Sequence, residues 1–454
     1  MIHVELRQGA YADSVTLLQI SRDVAALPGV SRAQVAMATA LNLDVLAGMG
    51  FEVPPSTPND LVVAIDADDV DAALAAVDSA LSSRRPSSGE TQVVPPRTTR
   101  SALRASTPGD RIVLVSVPGP SASIEAMDAL EAGSDVMIFS DNVPLEQEVA
   151  LKQYASPRNL LVMGPDCGTA VVGGVGLGFA NVVRPGPVGI VAASGTGCQQ
   201  LLSLLDKAEV GVGHALGVGG RDLSADVRGL ATREALRRLD ADPSVELIVL
   251  VSKPPAGEVA DALSTYCASL GTPVRLALLG DGRPDLTAAT ESVLADLGRE
   301  TPAWPVWGSA RSPRRGGLRG LFVGGTLCTE AKLISSSLAD VSMVDFGDDE
   351  YTRGRAHPMI DPTLRLEHLR RTLADPAVGA VLLDVVLGHG AEPDPAAGLV
   401  PVLDDAEVPV VISLVGTAAD PQGLEQQATA LASAGAEVHL SNARATRRAL
   451  ELVQ

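Results

Sequence analysis

The chain is poor in aromatic residues and in cysteine. Phe, Trp and Tyr supply 2% of its 454 residues although 46% are hydrophobic, so its cores consist mainly of Ala, Val and Leu. Such cores are typical of helices packed on parallel strands. The four cysteines lack Cys-x-x-Cys spacing, which argues against a disulfide framework and a zinc site. We therefore expect no metal and buried structural thiols.

One alternative remains for two of these cysteines. Cys198 and Cys328 each follow a glycine-rich turn, where the N-terminus of a helix can lower the pKa of a thiol.

The chain also lacks an excess of positive charge and long apolar runs. Its formal net charge is −20, which argues against nucleic acid or an anionic membrane as the main partner. No apolar stretch approaches the ~20 residues that cross a bilayer. The first residues have the pattern of a strand and not of a signal peptide. We expect a cytoplasmic protein.

Two segments repeat one pattern, a buried strand followed by a glycine-rich turn and an apolar helix. In each segment an Asp-Pro pair, at Asp242 and at Asp375, precedes a further strand, so the repeat is long and indicates a duplicated domain. The turns comprise Ser194, Gly195, Thr196 and Gly197 in the first repeat and Gly324, Gly325 and Thr326 in the second.

A glycine turn that opens a helix directs unpaired backbone N–H groups, and the positive end of the helix dipole, at whatever lies in front of it. Two such turns facing each other would hold one phosphate or carboxylate. Ligands of doubly wound sheets bind at the carboxyl ends of the strands. Predicted strand ends of the first repeat carry Gly219, Gly220, Arg221 and Lys253. For Lys253 the alternatives are a position facing the anion site and a cap on its strand.

The pattern of elements predicts an α/β protein of several domains. Residues 1–84 predict a small α+β, ferredoxin-like domain, and the Ser-, Arg- and Pro-rich stretch 83–105 predicts a linker. Residues 106–185 alternate strands with helices and predict a Rossmann-like domain with a parallel sheet. The two repeats, 186–298 and 318–454, predict flavodoxin-like doubly wound domains.

Several motifs resemble the subunits of succinyl-CoA synthetase. Residues 112–120, 163–168, 189–196 and 217–220 follow the order of its α subunit, and the second repeat is similar to the ligase domain of its β subunit. The junction of both in one chain resembles the FdrA family of acyl-CoA synthetase-like proteins, most specifically at residues 348–362. This resemblance implies that residues 106–185 form a CoA-binding-type domain and that both repeats are domains of the ligase-CoA type.

The chain also departs from the synthetase pattern. The loop 280–286, which corresponds to the loop of the phosphorylated histidine, has no histidine. The N-terminal glycine loop that contacts CoA in the synthetase has no counterpart, and neither an ATP-grasp domain nor a GxxxxGK[ST] loop is present. We expect that this chain alone neither forms phosphohistidine nor activates an acid with ATP.

The family resemblance implies a subunit of oxamate carbamoyltransferase, an enzyme of allantoin breakdown that works with other subunits. It converts oxalurate and phosphate into oxamate and carbamoyl phosphate, so phosphate or carbamoyl phosphate is the expected ligand, with no cofactor required. One alternative is a subunit of an NDP-forming acyl-CoA synthetase that binds CoA. Another is a non-catalytic scaffold or ligand-sensing subunit.

The basic residues near the motifs are the further site candidates. We predict that Arg221, Arg353 and Arg355 clamp a substrate carboxylate, with surface ion pairs as the alternative. His357, which precedes Pro358, is the predicted proton donor to the leaving nitrogen or a phosphate ligand, with a structural histidine as the alternative.

Overall fold

A computed structural model of the protein describes residues 1–8, 10, 12, 14–82, 96, 98–106, 111–352 and 355–453. The chain divides into two compact units, one formed by Met1–Pro95 with Gly347–Leu364 and the other by Pro96–Phe346 with Arg365–Gln454. Most of the predicted linker 83–105 and the candidate Arg353 lie outside the described residues. None of the described helices is long and apolar enough to cross a membrane.

The N-terminal part of the first unit is a small α+β domain, as the sequence predicts. Its three strands pair antiparallel in the order β1-β3-β2, and α2 separates β2 from β3. The central strand β3 is buried on both faces: Val63 and Ile65 belong to the core that includes residues of α1 and α3, and Val62 and Ala64 to the core around Phe51. The elements are β1 (Ile2–Arg7), α1 (Ser14–Ala25), β2 (Val30–Met37), α2 (Ala40–Gly48), β3 (Leu61–Ala67) and α3 (Val70–Ser82).

The first unit also contains the segment Gly347–Leu364, which is distant in sequence. A side-chain hydrogen bond links the two parts, because Arg22 Nη2 on α1 donates to the carbonyl oxygen of Ile360 over 3.1 Å. The stretch with the most specific family resemblance therefore belongs to the unit that contains the N-terminal domain.

The second unit begins with a short helix and a small parallel sheet in the order β4-β5-β6. Ala122, Ala126 and Ala129 of α5 are fully buried against this sheet, so small side chains set the spacing of helix and strands. The elements are α4 (Thr99–Ala105), β4 (Ile112–Val115), α5 (Gly119–Glu131), β5 (Asp135–Ile138), α6 (Leu145–Ala155) and β6 (Val162–Met163).

The first repeat has the parallel strand order β12-β11-β9-β10, which is the doubly wound order predicted from the sequence. An antiparallel hairpin, β7 and β8, extends this sheet beside β10 although it precedes residue 186. The elements are β7 (Thr169–Val172), β8 (Val175–Gly178), β9 (Val188–Ala193), α7 (Gly195–Lys207), β10 (Val212–Gly217), α8 (Leu230–Asp240), β11 (Leu247–Ser252), α9 (Gly257–Cys267), β12 (Val274–Leu278) and α10 (Leu286–Asp296).

The second repeat has the same order, β18-β17-β16-β14-β15, with β13 added antiparallel beside β18. All nine residues of β16 are buried, as expected where helices cover both faces of a parallel sheet. The elements are β13 (Val306–Trp307), β14 (Gly317–Phe322), α11 (Gly325–Ile334), β15 (Val341–Asp345), α12 (Asp349–Thr352, in the first unit), α13 (Thr363–Ala374), β16 (Val378–Val386), α14 (Pro395–Leu403), β17 (Val410–Val415), α15 (Leu424–Ser433), β18 (Glu437–His439) and α16 (Asn442–Glu451).

Buried polar side chains join the two repeats where α7, α10, α11 and α16 pack together. Gln200 on α7 accepts from the backbone N–H of Asn442 and donates to the carbonyl of Leu440. Glu330 on α11 accepts from the backbone N–H of Leu286 and from the side chain of Asn442. These bonds fix the position of α7 relative to α11, and with it the position of the two glycine turns that open these helices.

A buried cluster of charges joins the small parallel sheet to the first repeat. Lys152 Nζ on α6 lies 2.8 Å from Glu148 Oε1 and 2.8 Å from Asp222 Oδ1, and it also donates to the carbonyl of Val218. The side chains of all three charged residues are at most 1% exposed. Removal of the cation would leave the buried carboxylate of Asp222 without a charged partner and that of Glu148 with Arg221 alone.

We predict that Lys152→Met lowers the free energy of unfolding by about 3–5 kcal/mol, because breaking a buried ion pair leaves uncompensated charge. Denaturant unfolding followed by circular dichroism measures this change. The matched control is Arg275→Met, which removes an exposed ion pair with Asp296 and should cost less than about 1 kcal/mol. Equal losses in the two variants would contradict the assignment.

Candidate functional site

The first glycine turn connects β9 to α7 and is capped by its own serine. Ser194 has extended backbone angles, and its Oγ accepts a hydrogen bond of 2.9 Å from the backbone N–H of Gly197. The N–H groups of Gly195 and Thr196 belong to the first helical turn and have no acceptor within the helix. This turn therefore directs two unpaired donors away from α7.

The second turn connects β14 to α11 and is held differently. Its N-cap, Gly324, has no side chain, so no cap bond closes the first turn of the helix. Instead, Asp384 at the carboxyl half of β16 accepts from the backbone N–H of Val323 and of Gly324, each over 2.8 Å. The N–H groups of Gly325 and Thr326 have no acceptor within the helix.

The two turns face each other in direct contact. Ser194 Oγ of the first turn donates to Thr326 Oγ1 of the second over 2.6 Å, and both side chains are buried. A Cβ placed on Gly324 would lie 2.8 Å from Thr196 Oγ1, so the absence of a side chain at Gly324 is what permits this approach. The paired arrangement predicted from the sequence is therefore present in the fold.

Two charged side chains lie against the second turn. A Cβ on Gly325 would lie 2.6 Å from Lys253 Nζ and even closer to Asp345 Oδ2. Lys253 directly follows β11 of the first repeat, and Asp345 ends β15 of the second. Both are half-buried. A cation from one repeat is thus placed at the helix N-terminus of the other.

The electrostatics of the second turn are set by a buried carboxylate. Asp384 is fully buried, and this burial raises its pKa to about 6, whereas Arg365 and the two backbone N–H groups act in the opposite direction. Arg365 Nη1 lies 3.1 Å from Asp384 Oδ1 and also donates to the Asp384 carbonyl over 2.6 Å. At neutral pH the carboxylate is ionised and accepts both backbone bonds.

The other candidates of the first repeat lie near the first turn, but their contacts are with protein. Gly219 has φ +88°, and a Cβ there would collide with the backbone of Gly164 and Pro165. Gly220 has open space around it. Arg221 Nε donates to Glu148 Oε2 over 2.9 Å and its Nη2 donates to a backbone carbonyl. The structure thus shows Arg221 in an ion pair with Glu148, and its role as a carboxylate clamp stays a prediction.

His357 and Arg355 belong to the first unit, whereas both glycine turns belong to the second. Arg355 Nη2 lies 3.2 Å from Asp361 Oδ2, and Arg355 Nη1 is buried without a hydrogen-bond partner among the described residues. His357 Nδ1 accepts from the backbone N–H of Met359 over 3.2 Å. This bond places the proton of a neutral imidazole on Nε2. Roles for both residues in binding or catalysis stay predictions.

The thiols after the turns are inert. Cys198 and Cys328 are 0% and 1% exposed, and burial raises the pKa of both, that of Cys328 to about 12. The predicted structural role is confirmed, and the alternative of an activated thiol at a helix N-terminus is wrong, because the cost of burying a thiolate exceeds the benefit of the helix dipole.

Two residues of this site have only weak signals in the sequence. The position of Lys253 after a predicted strand suggests the site but equally suggests a strand cap. Asp384 ends a predicted strand of the second repeat and is a candidate by that position, but no motif distinguishes it. The strand order explains why Lys253 and Asp384 lie near the turns, because β11 and β16 are the neighbours of the strands that carry the turns.

Comparison with protein families gives two matches on this chain. Residues 321–452, which include the second turn, match the family described as CoA-ligase. Residues 1–95 match the family described as AllF, heavy metal-associated domain.

One similar protein matches nearly the whole chain, and two others are more distant. The uncharacterized protein YahF of Escherichia coli (strain K12) is 34% identical over 96% of this chain and 95% of its own length. A succinate–CoA ligase α subunit of Methanothermobacter thermautotrophicus is 26% identical over 38% of this chain and 58% of its own length. A solved structure of dinucleotide-forming acetyl-coenzyme A synthetase 1 from Ca. Korarchaeum cryptofilum is 14% identical, with a TM-score of 0.29, over 75% of this chain and 84% of that chain.

The doubly wound repeats with their paired turns are therefore a CoA-ligase-like, acyl-CoA synthetase-type fold. This chain spans about half the length of the succinate–CoA ligase α subunits that it matches, from 46% to 58%. A relative matches nearly the whole chain, and the chain contains a small N-terminal domain and a ligase domain. The protein therefore belongs to the FdrA family of acyl-CoA synthetase-like proteins.

The heavy-metal description of the N-terminal family does not fit the residues present. Residues 1–95 contain no cysteine and a single histidine, His3. Soft heavy metals need thiolate or imidazole ligands. In the described part of the chain, no group of three His, Cys, Asp or Glu side chains is arranged to hold a metal ion.

We predict that the native protein reacts slowly with a thiol reagent such as dithionitrobenzoate at about pH 8, because all four cysteines are free and buried. With a pKa of about 12, roughly one Cys328 thiol in 10⁴ is ionised at that pH. The ionised fraction rises about tenfold per pH unit but stays small until the pH approaches this raised pKa. Spectrophotometric titration should give four thiols per chain in denaturant and fewer than one in its absence. Rapid labelling of native Cys198 or Cys328 would contradict this assignment.

Proposed function

We propose that the chain binds inorganic phosphate, or the phosphoryl end of an acyl phosphate, between the two glycine turns, as a subunit of an acyl-phosphate-handling enzyme. One observation carries the proposal: the two turns that open α7 and α11 touch through Ser194 and Thr326, and the ammonium group of Lys253 lies beside Gly325 together with the carboxylate of Asp345. The protein as a whole has a net charge of −20 and repels anions, so a site that binds one needs positive groups of this kind.

The geometry supplies the chemistry that transfer to or from phosphate needs. Such reactions depend mainly on positioning and on stabilising charge at the phosphate oxygens. The N–H groups of Gly195, Thr196, Gly325 and Thr326 are fixed donors, and their helices contribute the positive ends of two dipoles. Lys253 would add a full charge where the leaving phosphate carries its negative charge.

The family resemblance supports an acid–CoA ligase as the first specific function. In such a reaction a thiol sulfur attacks the carbonyl carbon of an acyl phosphate, the bond from that carbon to the phosphate oxygen breaks, and the thiol loses its proton. Phosphate then leaves with the electron pair of the broken bond. In this chain the two turns and Lys253 would bind that phosphate.

The turn that opens α5 packs closely against the loop after β5. A Cβ on Gly119, in this turn, would lie 2.5 Å from the carbonyl oxygen of Asn142. Since the sequence has no ATP-grasp domain, a CoA ligase reaction would require another subunit to supply the nucleotide site.

The second specific candidate is oxamate carbamoyltransferase, again with other subunits. Loop 280–286 favours it, because this loop has no histidine to carry a phosphoryl group and its Asp285 caps α10 instead. A phosphate oxygen would attack the ureido carbonyl carbon of oxalurate, and the bond from that carbon to the oxamate nitrogen would break. The nitrogen takes up a proton as this bond breaks, so that oxamate leaves as a neutral amide.

We predict that Lys253→Met weakens phosphate binding by about 10–100-fold, because a hydrogen bond to a charged group contributes about 1.5–3 kcal/mol. Isothermal titration calorimetry with inorganic phosphate measures the dissociation constant. The control Lys332→Met removes the same charge from the opposite end of α11, where the residue is exposed, and should leave the affinity within about twofold. Equal affinities in the two variants would refute a role for Lys253.

An activity assay on the complex purified with its native partners distinguishes the two candidates. Carbamoyl phosphate that forms from oxalurate and phosphate without ATP or CoA would support the carbamoyltransferase. Acyl-CoA formation that requires an acid, CoA and a nucleotide would support the ligase. If neither product forms and phosphate does not bind, the chain is not a phosphate-handling subunit, and a scaffold role gains support.

A further inference from the structure

The two turns are alike in sequence but are stabilised in different ways. In the first turn Ser194 caps α7 with its own hydroxyl and occupies the N–H of Gly197. In the second turn Gly324 offers no side chain to α11. At an N-cap, glycine is a weaker choice than serine or aspartate because a capping side chain satisfies one of the helix's unpaired N–H groups. Something else must hold the second turn in place.

Asp384 fills this need through two backbone hydrogen bonds. Its Oδ1 accepts from Val323 and its Oδ2 from Gly324, so one carboxylate fixes two successive peptide units that lead into α11. These two N–H groups precede the helix, and the bonds leave the N–H groups of Gly325, Thr326 and Leu327 unoccupied. In the first turn, by contrast, the side-chain cap uses one N–H of the helix itself.

Arg365 keeps the carboxylate in place and ionised. It is 5% exposed, and it bonds to both the side chain and the backbone carbonyl of Asp384. Arg365 Nε has no hydrogen-bond partner among the described residues. The guanidinium therefore binds Asp384 while one of its buried N–H groups is left without an acceptor. A buried pair with an unmet donor is poorly suited to stabilising the fold alone.

We infer that Asp384, held by Arg365, is the positioning residue of the anion site: it replaces the missing N-cap of α11 and aims the N–H groups of Gly325 and Thr326 at the ligand. This inference rests on the proposed phosphate site. Asp384 acts through the backbone and does not touch the ligand, since its two oxygens already accept from Val323 and Gly324.

The direct test is hydrogen–deuterium exchange of Asp384→Asn, which keeps the shape but loses the charge. An amide oxygen can accept only one of the two N–H groups, and the amide nitrogen opposes the other. Exchange in the peptide that spans residues 323–327 should accelerate by about tenfold or more, since a lost hydrogen bond to a charged group is worth about 1.5–3 kcal/mol. The control Asp340→Asn, at an exposed ion pair with Arg319, should leave that peptide unchanged. Unchanged exchange in Asp384→Asn would overturn the inference whether or not phosphate binds.

A double variant separates positioning from folding. Asp384→Asn combined with Arg365→Met removes the unpaired buried cation that the single variant leaves, so thermal stability should recover towards that of the unmodified protein. Phosphate affinity, measured by calorimetry, should remain about tenfold lower than that of the Asp340→Asn control. Full recovery of affinity with stability would reduce Asp384 to a structural role. If the control itself fails to bind phosphate while the exchange result holds, the positioning of the turn stands and the proposed ligand is wrong.

Discussion

The site depends on one contact, the hydrogen bond between Ser194 and Thr326 that holds two helix N-termini face to face. Each N-terminus carries a partial positive charge of about +0.5, so the arrangement is repulsive without a negative partner. Asp384 and Asp345 supply negative charge near the second turn, and the buried bonds of Gln200 and Glu330 keep the helices in place. The fold thus holds two positive helix ends together, with two carboxylates beside the second one.

Duplication explains how such a place arises. Each repeat brings its turn to the end of its first strand, and the third strand of the same sheet ends beside it. This is the position at which doubly wound sheets bind ligands. The copies have then diverged: Lys253 follows the third strand of the first repeat, whereas the third strand of the second repeat carries Asp384. Lys253 lies beside Gly325, and Asp384 binds the backbone N–H groups of Val323 and Gly324.

The sequence predicts the features that depend on local pattern. Strand and helix periodicity, the repeat and the glycine turns predict the α/β class, the doubly wound order and the facing turns. The sequence does not predict contacts that depend on long-range packing. The ion pair of Arg221 with Glu148 requires that α6 lie beside the end of β10, and the membership of residues 347–364 in the first unit has no local signal. The position of Asp384 at a predicted strand end suggests a site residue, but its bonds to Val323 and Gly324 depend on packing that the sequence does not show.

The central claim is that the two turns bind one anion, and a crystal structure of the protein soaked with tungstate, an electron-dense analogue of phosphate, tests it most directly. The account predicts one tungstate between the turns, within hydrogen-bond distance of the backbone N–H groups of Gly325 and Thr326 and of Lys253 Nζ. Tungstate bound only elsewhere, with Ser194 and Thr326 still in contact and no density in front of α11, would contradict it.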